Sequence, residues 1–349
     1  MKIINSEGSL LSPSNTKLLR VVFEVMVLIH HLYLVYTSFG GAITNDFGPI
    51  AVGGFIFLSG FGVGFSFIKK GDEYAKRLLK VRIPKTYLIL LIADLCYLVL
   101  YLATGGRFNS PFSAIVSVLY LPIFSGFVPL SHWIYFLADL LIYYFIFLLF
   151  IFIFKKAKNR LLWTAITILI IDLIIIAVLS VINHQTGSVR YLRACLCFPI
   201  GLICAPFSGK LYEIVKKHKI ILAVSISAII ILISAFLDYR PIDEYVLPIF
   251  VVLALVVILC GVNTKCKALD YLSGLVIYVY LSHEFFLLLF RHIFSTLNIN
   301  LHQNIIGLIV VACSMLFAVI LNAIVKKVLK LAHGYEKSGE KNKKLSYHS

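Results

Sequence analysis

At 349 residues, with 60% apolar side chains and only 14% charged ones, the chain lacks the polar surface needed to coat a soluble domain. Its formal net charge of +16 is distributed as an orientation signal in a membrane would be, so no nucleic-acid partner is required to explain it. Six of the seven cysteines lie in apolar stretches and Cys266 in a short polar connection, which excludes a disulfide-stapled fold; Cys195 and Cys197, two apart, point to different sides of a helix, and no metal site is expected.

Apolar stretches of about 20 residues, the length that crosses the hydrocarbon core, occur ten times. They cover residues 18–37, 48–68, 86–103, 130–154, 161–183, 189–207, 220–237, 245–262, 272–292 and 303–325. The sequence therefore predicts an all-α fold, a polytopic bundle of about ten transmembrane helices. With the N-terminus placed inside, 27 of the 32 basic residues fall on the cytoplasmic side, as the positive-inside rule requires. Both termini are then cytoplasmic: a short segment at 1–17, the membrane domain at 18–326 and a basic tail at 327–349. The outer side keeps five cations, Arg107, Arg190, Arg193, Arg240 and Arg291. The inner loops also suit anionic membrane lipid.

The first span, LLRVVFEVMVLIHHLY at 18–33, carries an Arg, a Glu and two His. These groups rule out a cleavable signal sequence, since they interrupt the apolar region and no small-residue cleavage site follows. At 100° per residue, Glu24 and His31 lie about 40° and 20° from Arg20, whereas His30 lies about 80° away. Arg20, Glu24 and His31 form one stripe, which should face the bundle interior because each group is costly against lipid. Along the axis Arg20 and His31 are about 16 Å apart, so one marks the cytoplasmic mouth and the other lies near the midplane.

In the second span Gly53, Gly60 and Gly64 leave one helix face bare, for close packing against a neighbour or for a slender ligand. A basic segment follows, with Arg77, Lys80 and Arg82 in KRLLKVRIPKTY at 76–87. Residues 109–133, broken by Pro111, Pro122 and Pro129, should be re-entrant or interfacial on the outer side, where Trp133 and Tyr135 either offer flat faces to a sugar ring or belong to the aromatic belt of the membrane interface. Counting from the cytoplasmic ends puts Asp94 at a depth of about 13 Å, Asp172 at about 18 Å, His283 at about 20 Å, and Asp139 and Arg193 near about 25 Å. Asp139 and Arg193 should pair. Asp94, Asp172 and Glu284 are equally suited to interhelical hydrogen bonds and to function, and His283 could orient His31, contact substrate or bridge helices.

Several of these pieces resemble, in order, the motifs of the acyltransferase-3 family, membrane proteins that acylate glycans and related acceptors. The Arg20 and His31 pair, with ten residues between, is similar to the family's first-span signature. GPIAVGGFIFLSGF at 48–61, including Ser59, resembles the second-span run, and residues 76–87 resemble the basic segment before the third span. HWIYFLADLLIYY at 132–144 is similar to the start of the fourth span, and YLSGLVIYVYLSHEFF at 271–286 to a late Tyr-x-x-His span. In the third-span motif this chain has Lys80 where the family has a second Arg, with Arg82 one register away as a substitute. The resemblance implies an integral membrane O-acyltransferase, with acetyl as the expected group, that takes acyl-CoA as its donor substrate and holds no permanent cofactor. The acceptor would be a cell-envelope polysaccharide or lipid-linked glycan, and the location the plasma membrane. His31 would be the general base, and Arg20, Arg77 and Lys80 or Arg82 would hold the donor's phosphates. Glu24, Ser59, Trp133, Asp139, Arg193 and His283 would support them or serve the acceptor. A transporter or flippase for a lipid-linked sugar also needs buried charges, but related halves, which such proteins show, are absent from this sequence.

Overall fold

A computed structural model of the chain describes residues 8–35, 44, 46–108, 110–118, 135–186, 194–236, 245–262, 264–299 and 301–346, all of them helix or connection. The helices are α1 (Pro13–Val35), α2 (Phe47–Lys70), α3 (Asp72–Arg77), α4 (Ile83–Ala103), α5 (Pro111–Val118), α6 (Tyr135–Ile153), α7 (Arg160–Thr186), α8 (Cys197–Cys204), α9 (Ser208–Phe236), α10 (Leu247–Leu259), α11 (Lys267–Thr296) and α12 (Gln303–Ser346). A π-helical turn, Leu78–Arg82, joins α3 to α4, so Asp72–Ala103 forms one continuous rod. Eight helices or rods are long and apolar enough to cross a membrane, and the chain is a polytopic helical bundle.

The other two predicted spans differ in length from expectation. Where the sequence predicts spans at 189–207 and 245–262, the described helices are α8, of eight residues, and α10, of thirteen. A span facing lipid needs about 20 helical residues because its backbone must satisfy itself. α8 escapes that requirement by being wrapped in protein: Cys197, Phe198 and Leu202 are fully buried, between α2 and α7. Between the second and third predicted spans, the basic stretch 69–85 is not an irregular connection. It is helical almost throughout, and the 210–219 stretch is likewise the start of α9, which bends at His218.

α2 is the hub, packed against α1, α6, α8 and α10. Its mean side-chain size explains how. Gly54 accepts the Phe23 ring of α1, Gly48 accepts the His30 ring, and Gly60 lies directly on the Phe198 carbonyl of α8. From the other side Gly201 meets the α2 backbone, where a methyl group would lie 2.8 Å from the Phe61 nitrogen. Gly64 and Gly53 face Ala205, Ala194 and Cys197. The bare face predicted in span two is therefore a packing surface for α8 and not a channel. In a membrane, where apolar side chains gain nothing from leaving lipid, such close backbone approach is what holds helices together.

This packing makes a specific prediction. Gly201→Ala places a methyl on backbone that cannot swing aside, and should cost about 1–3 kcal/mol, the usual size for overpacking. Gly62 faces open space, so Gly62→Ala should change stability by less than about 0.5 kcal/mol. Thermal unfolding of the two variants in detergent checks the contrast; equal losses would remove the close α2 and α8 contact as its cause.

Candidate active site

The polar stripe of α1 faces inward and meets α11. Lys17 Nζ lies 2.7 Å from Asp270 Oδ1 at one end, and His31 Nδ1 hydrogen-bonds His283 Nε2 further along. The two imidazoles are nearly parallel, with 4.7 Å between ring centres and 9° between planes. Fourteen residues separate the contacts on α1 and thirteen on α11, so the helices run parallel and in register for about 20 Å. Both His rings are buried. His30 is not turned away as its angle on the helix suggests. Its ring centre is 5.2 Å from that of His31, and its Nδ1 is 3.2 Å from the Thr44 carbonyl, because Gly48 opens room for it. Glu24 is also buried, and neither carboxylate oxygen has a hydrogen-bond partner among the described residues.

A cavity of about 600 Å³ opens beside this stripe, between α1, α2, α4, α6, α11 and α12. Its mouth is cationic, with Arg20, Arg82, Lys85 and Lys326 in the lining. Arg20 is set among side chains yet keeps exposed surface, because it faces the cavity. Arg20 and Arg82 lie within electrostatic reach of each other. Neither has an ion-pair partner among the described residues. Asp270 also lines the mouth but is paired with Lys17. Two guanidinium groups held together without an ion pair to either form a site for an anion, and their planar forks suit phosphate.

The sequence leaves the choice between Lys80 and Arg82 open, and the π-turn accounts for where each sits. Pro84 has no N–H for the Lys80 carbonyl and its ring would crowd that carbonyl in a regular helix. The helix widens instead, with Ile83 N–H bonding the Leu78 carbonyl five residues back. The extra residue in the turn brings Arg82 into the cavity, where it donates to the Tyr74 hydroxyl at 2.9 Å and stacks with its Cζ 4.8 Å from the centre of the Tyr144 ring. Ser59 hydrogen-bonds Tyr144 from the facing helix. Arg77 and Lys80 are exposed on the outside of the rod and do not line the cavity. Tyr144 is a residue that sequence reasoning missed. Its spacing from Leu137 and Leu140, which also line the cavity, puts all three on one helix face and was the available signal.

At its inner end the cavity meets Phe55, Phe136 and Tyr280. Behind Tyr280, one turn on, stands His283, with 5.6 Å between ring centres. The arrangement thus puts an anion site at a mouth and an imidazole pair beyond the far end, along one axis. A family model described as an acyltransferase domain, acyltransferase-3, matches residues 16–325, nearly the whole chain and every residue of this site except Lys326. The chain belongs to the acyltransferase-3 family. No curated protein and no solved structure matches it.

In this membrane acyltransferase the remaining buried acids fall into two groups. Asp172 accepts a hydrogen bond of 3.0 Å from the Tyr143 hydroxyl, tying α7 to α6, which is the interhelical role that its sequence position allows. Asp139, fully buried one turn before Tyr143, belongs to the same cluster. Its predicted partner Arg193 lies outside the described residues, as do Trp133, Arg190 and Arg240. Asp94 and Glu284 lie within electrostatic reach of each other where α4 packs on α11, beside a 3.0 Å bond from the Tyr97 hydroxyl to the Leu281 carbonyl. Arg107 and Arg291 are exposed.

The placement of the cations separates residues that the sequence treats alike. Arg82→Ala should lower acyl transfer by roughly 10-fold or more, the size of losing a charge-assisted contact. Lys80→Ala and Arg77→Ala should retain most activity. Initial-rate assays on purified variants decide this, and an inactive Lys80→Ala beside an active Arg82→Ala would reverse the assignment.

Proposed function

We propose that this acyltransferase moves an acyl group, acetyl in the first place, from cytoplasmic acyl-CoA to a hydroxyl of a cell-envelope polysaccharide or lipid-linked glycan. The observation that carries the reading is the pair of guanidinium groups, Arg20 and Arg82, which have no ion-pair partner among the described residues and line the mouth of a cavity on the side of the bundle where His31 meets His283. The mouth lies at the end of the bundle where α1 and the basic start of the Asp72–Ala103 rod lie, the end that the distribution of Lys and Arg assigns to the cytoplasm. Acyl-CoA is found there, and its phosphates are the anions that two guanidiniums and the neighbouring Lys85 and Lys326 would grip.

In the reaction the acceptor oxygen attacks the thioester carbonyl carbon while His31 takes the hydroxyl proton. The carbon–sulfur bond then breaks, and the proton passes to the departing sulfur, so that free CoA thiol and an ester are formed. His283 holds the His31 ring in orientation. A general base of this kind contributes about 10²- to 10⁴-fold. Ser59 supports the donor side through Tyr144. Trp133, Asp139 and Arg193 belong on the acceptor side of the proposal, and the glycan acceptor itself rests on the family resemblance.

Sealed inside-out vesicles given labelled acetyl-CoA should transfer label to glycan in the lumen, and retention of all label outside would defeat the vectorial reading. The two ends of the α1 stripe should also fail differently. Arg20→Ala should chiefly raise the KM for donor, because the contact it removes is present in both ground and transition states. His31→Ala should reduce kcat by roughly 10²-fold or more with donor binding little changed. Identical kinetic defects in the two variants would show that donor binding and proton transfer are not divided between them.

A further inference from the structure

Three rings close the inner end of the cavity, and they close it tightly. Phe55 from α2 and Phe136 from α6 stack at 5.6 Å with 22° between planes. Tyr280 from α11 meets Phe136 edge-on, with 4.4 Å between centres and 88° between planes, and stands 6.5 Å from Phe55. All three are buried, at 8%, 5% and 1% exposure, although each contributes to the cavity lining. They are backed as well as interlocked. Phe23 lies edge-on behind Phe55 at 5.8 Å, and His283 lies behind Tyr280. On α11 the lining runs from Asp270 at the mouth to Tyr280 at the wall, ten residues or about 15 Å. His31 and His283 are not in the lining; the His283 ring adjoins that of Tyr280, which is.

Resting on the donor reading above, we infer that Phe55, Phe136 and Tyr280 set the acyl-chain length that this enzyme accepts, and that its donors are short-chain acyl thioesters. The acyl group is the part of the donor furthest from the phosphates. With the phosphates held at Arg20 and Arg82, the acyl group arrives at the three rings. A small group needs room for only one or two carbons against the wall. Each further methylene has to displace a ring that is packed on two others and supported from behind, and close-packed interiors do not yield such space without distortion. One methylene is worth roughly 10- to 200-fold in a fitted apolar site, so selectivity should fall steeply over a few carbons. Phe136 is the decisive position. It touches both other rings, and its removal opens the wall without disturbing the Tyr280 contact to His283.

The test is the rate of transfer from acetyl-, butyryl- and hexanoyl-CoA, each as kcat/KM, for the full chain and for Phe136→Ala and Phe55→Ala. The wild type should favour acetyl over hexanoyl by 10-fold or more, and Phe136→Ala should cut that ratio by at least 10-fold through a gain with the longer donors. Phe136→Leu, which keeps the core filled while shortening the wall, should move the profile in the same direction and serves if an alanine variant does not fold. A wild-type enzyme that uses hexanoyl-CoA as well as acetyl-CoA, or folded Phe136 and Phe55 variants with an unchanged chain-length profile, would overturn the inference while leaving the donor reading intact. Failure of the wild type to bind or use any acyl-CoA would overturn both.

Discussion

An ionisable side chain placed against hydrocarbon costs several kcal/mol unless it is turned inward and given partners, and this constraint orients α1. Arg20, Glu24 and His31 share one side of the helix, so that side must face the bundle. α11 is the partner that meets it. Because α11 presents Asp270 and His283 at nearly the spacing of Lys17 and His31, only a parallel pairing in one register satisfies both ends. The exposed Lys17 and Asp270 pair is worth little by itself. Its place in the structure is as one end of a register whose other end is the buried imidazole pair. The cavity is what remains beside that register where α4, α6 and α12 fail to fill the space.

The second requirement is a support that can lie close to the stripe without competing for its room. α2 meets it by having little side chain where it touches its neighbours. Gly48 and Gly54 admit His30 and Phe23 from α1, and Gly60 admits the backbone of α8. The other residues of α2 point between these contacts: Phe55, Leu58 and Ser59 reach the cavity, and Phe57 fills the core. α8 is short because protein surrounds it, and it is surrounded because glycine on both helices permits the approach. Packing and site geometry therefore depend on the same helix.

Much of this was legible in the sequence because the underlying rules act along the chain. Length of apolar run, the side on which Lys and Arg gather, and the 100° stripe on α1 are local quantities, and they lead to the polytopic bundle and to Arg20 and His31. The ordered motifs lead to the family. What was not legible depends on contacts between helices. No periodicity in residues 76–87 announces that Pro84 is accommodated by a π-turn, yet that turn decides that Arg82 and not Lys80 enters the cavity. The angle of His30 on an isolated helix puts it off the stripe, while Gly48 on another helix draws its ring toward His31. Phe55, Phe136 and Tyr280 look like ordinary core residues in a chain with 27 Phe and 19 Tyr; only their meeting at one end of a cavity distinguishes them.

The separation between cavity and imidazoles has a physical consequence of its own. On the proposed reading, a donor with several charged phosphates requires a wet, open mouth, whereas transfer to a hydroxyl requires that water stay away from the thioester, since water is itself a hydroxyl acceptor. A single continuous cavity from mouth to His31 would satisfy the first need and defeat the second. Dividing the path with a wall of interlocked rings reconciles them. On the proposed donor reading, the mouth would stay hydrated around Arg20 and Arg82, and the rings would keep the space near His31 and His283 dry until an acyl group is seated. Dryness also strengthens hydrogen bonds between the two imidazoles, because fewer water molecules compete for them. The same three side chains that bound the acyl chain would thus protect it from hydrolysis, so widening the wall to admit longer chains should bring water in with them.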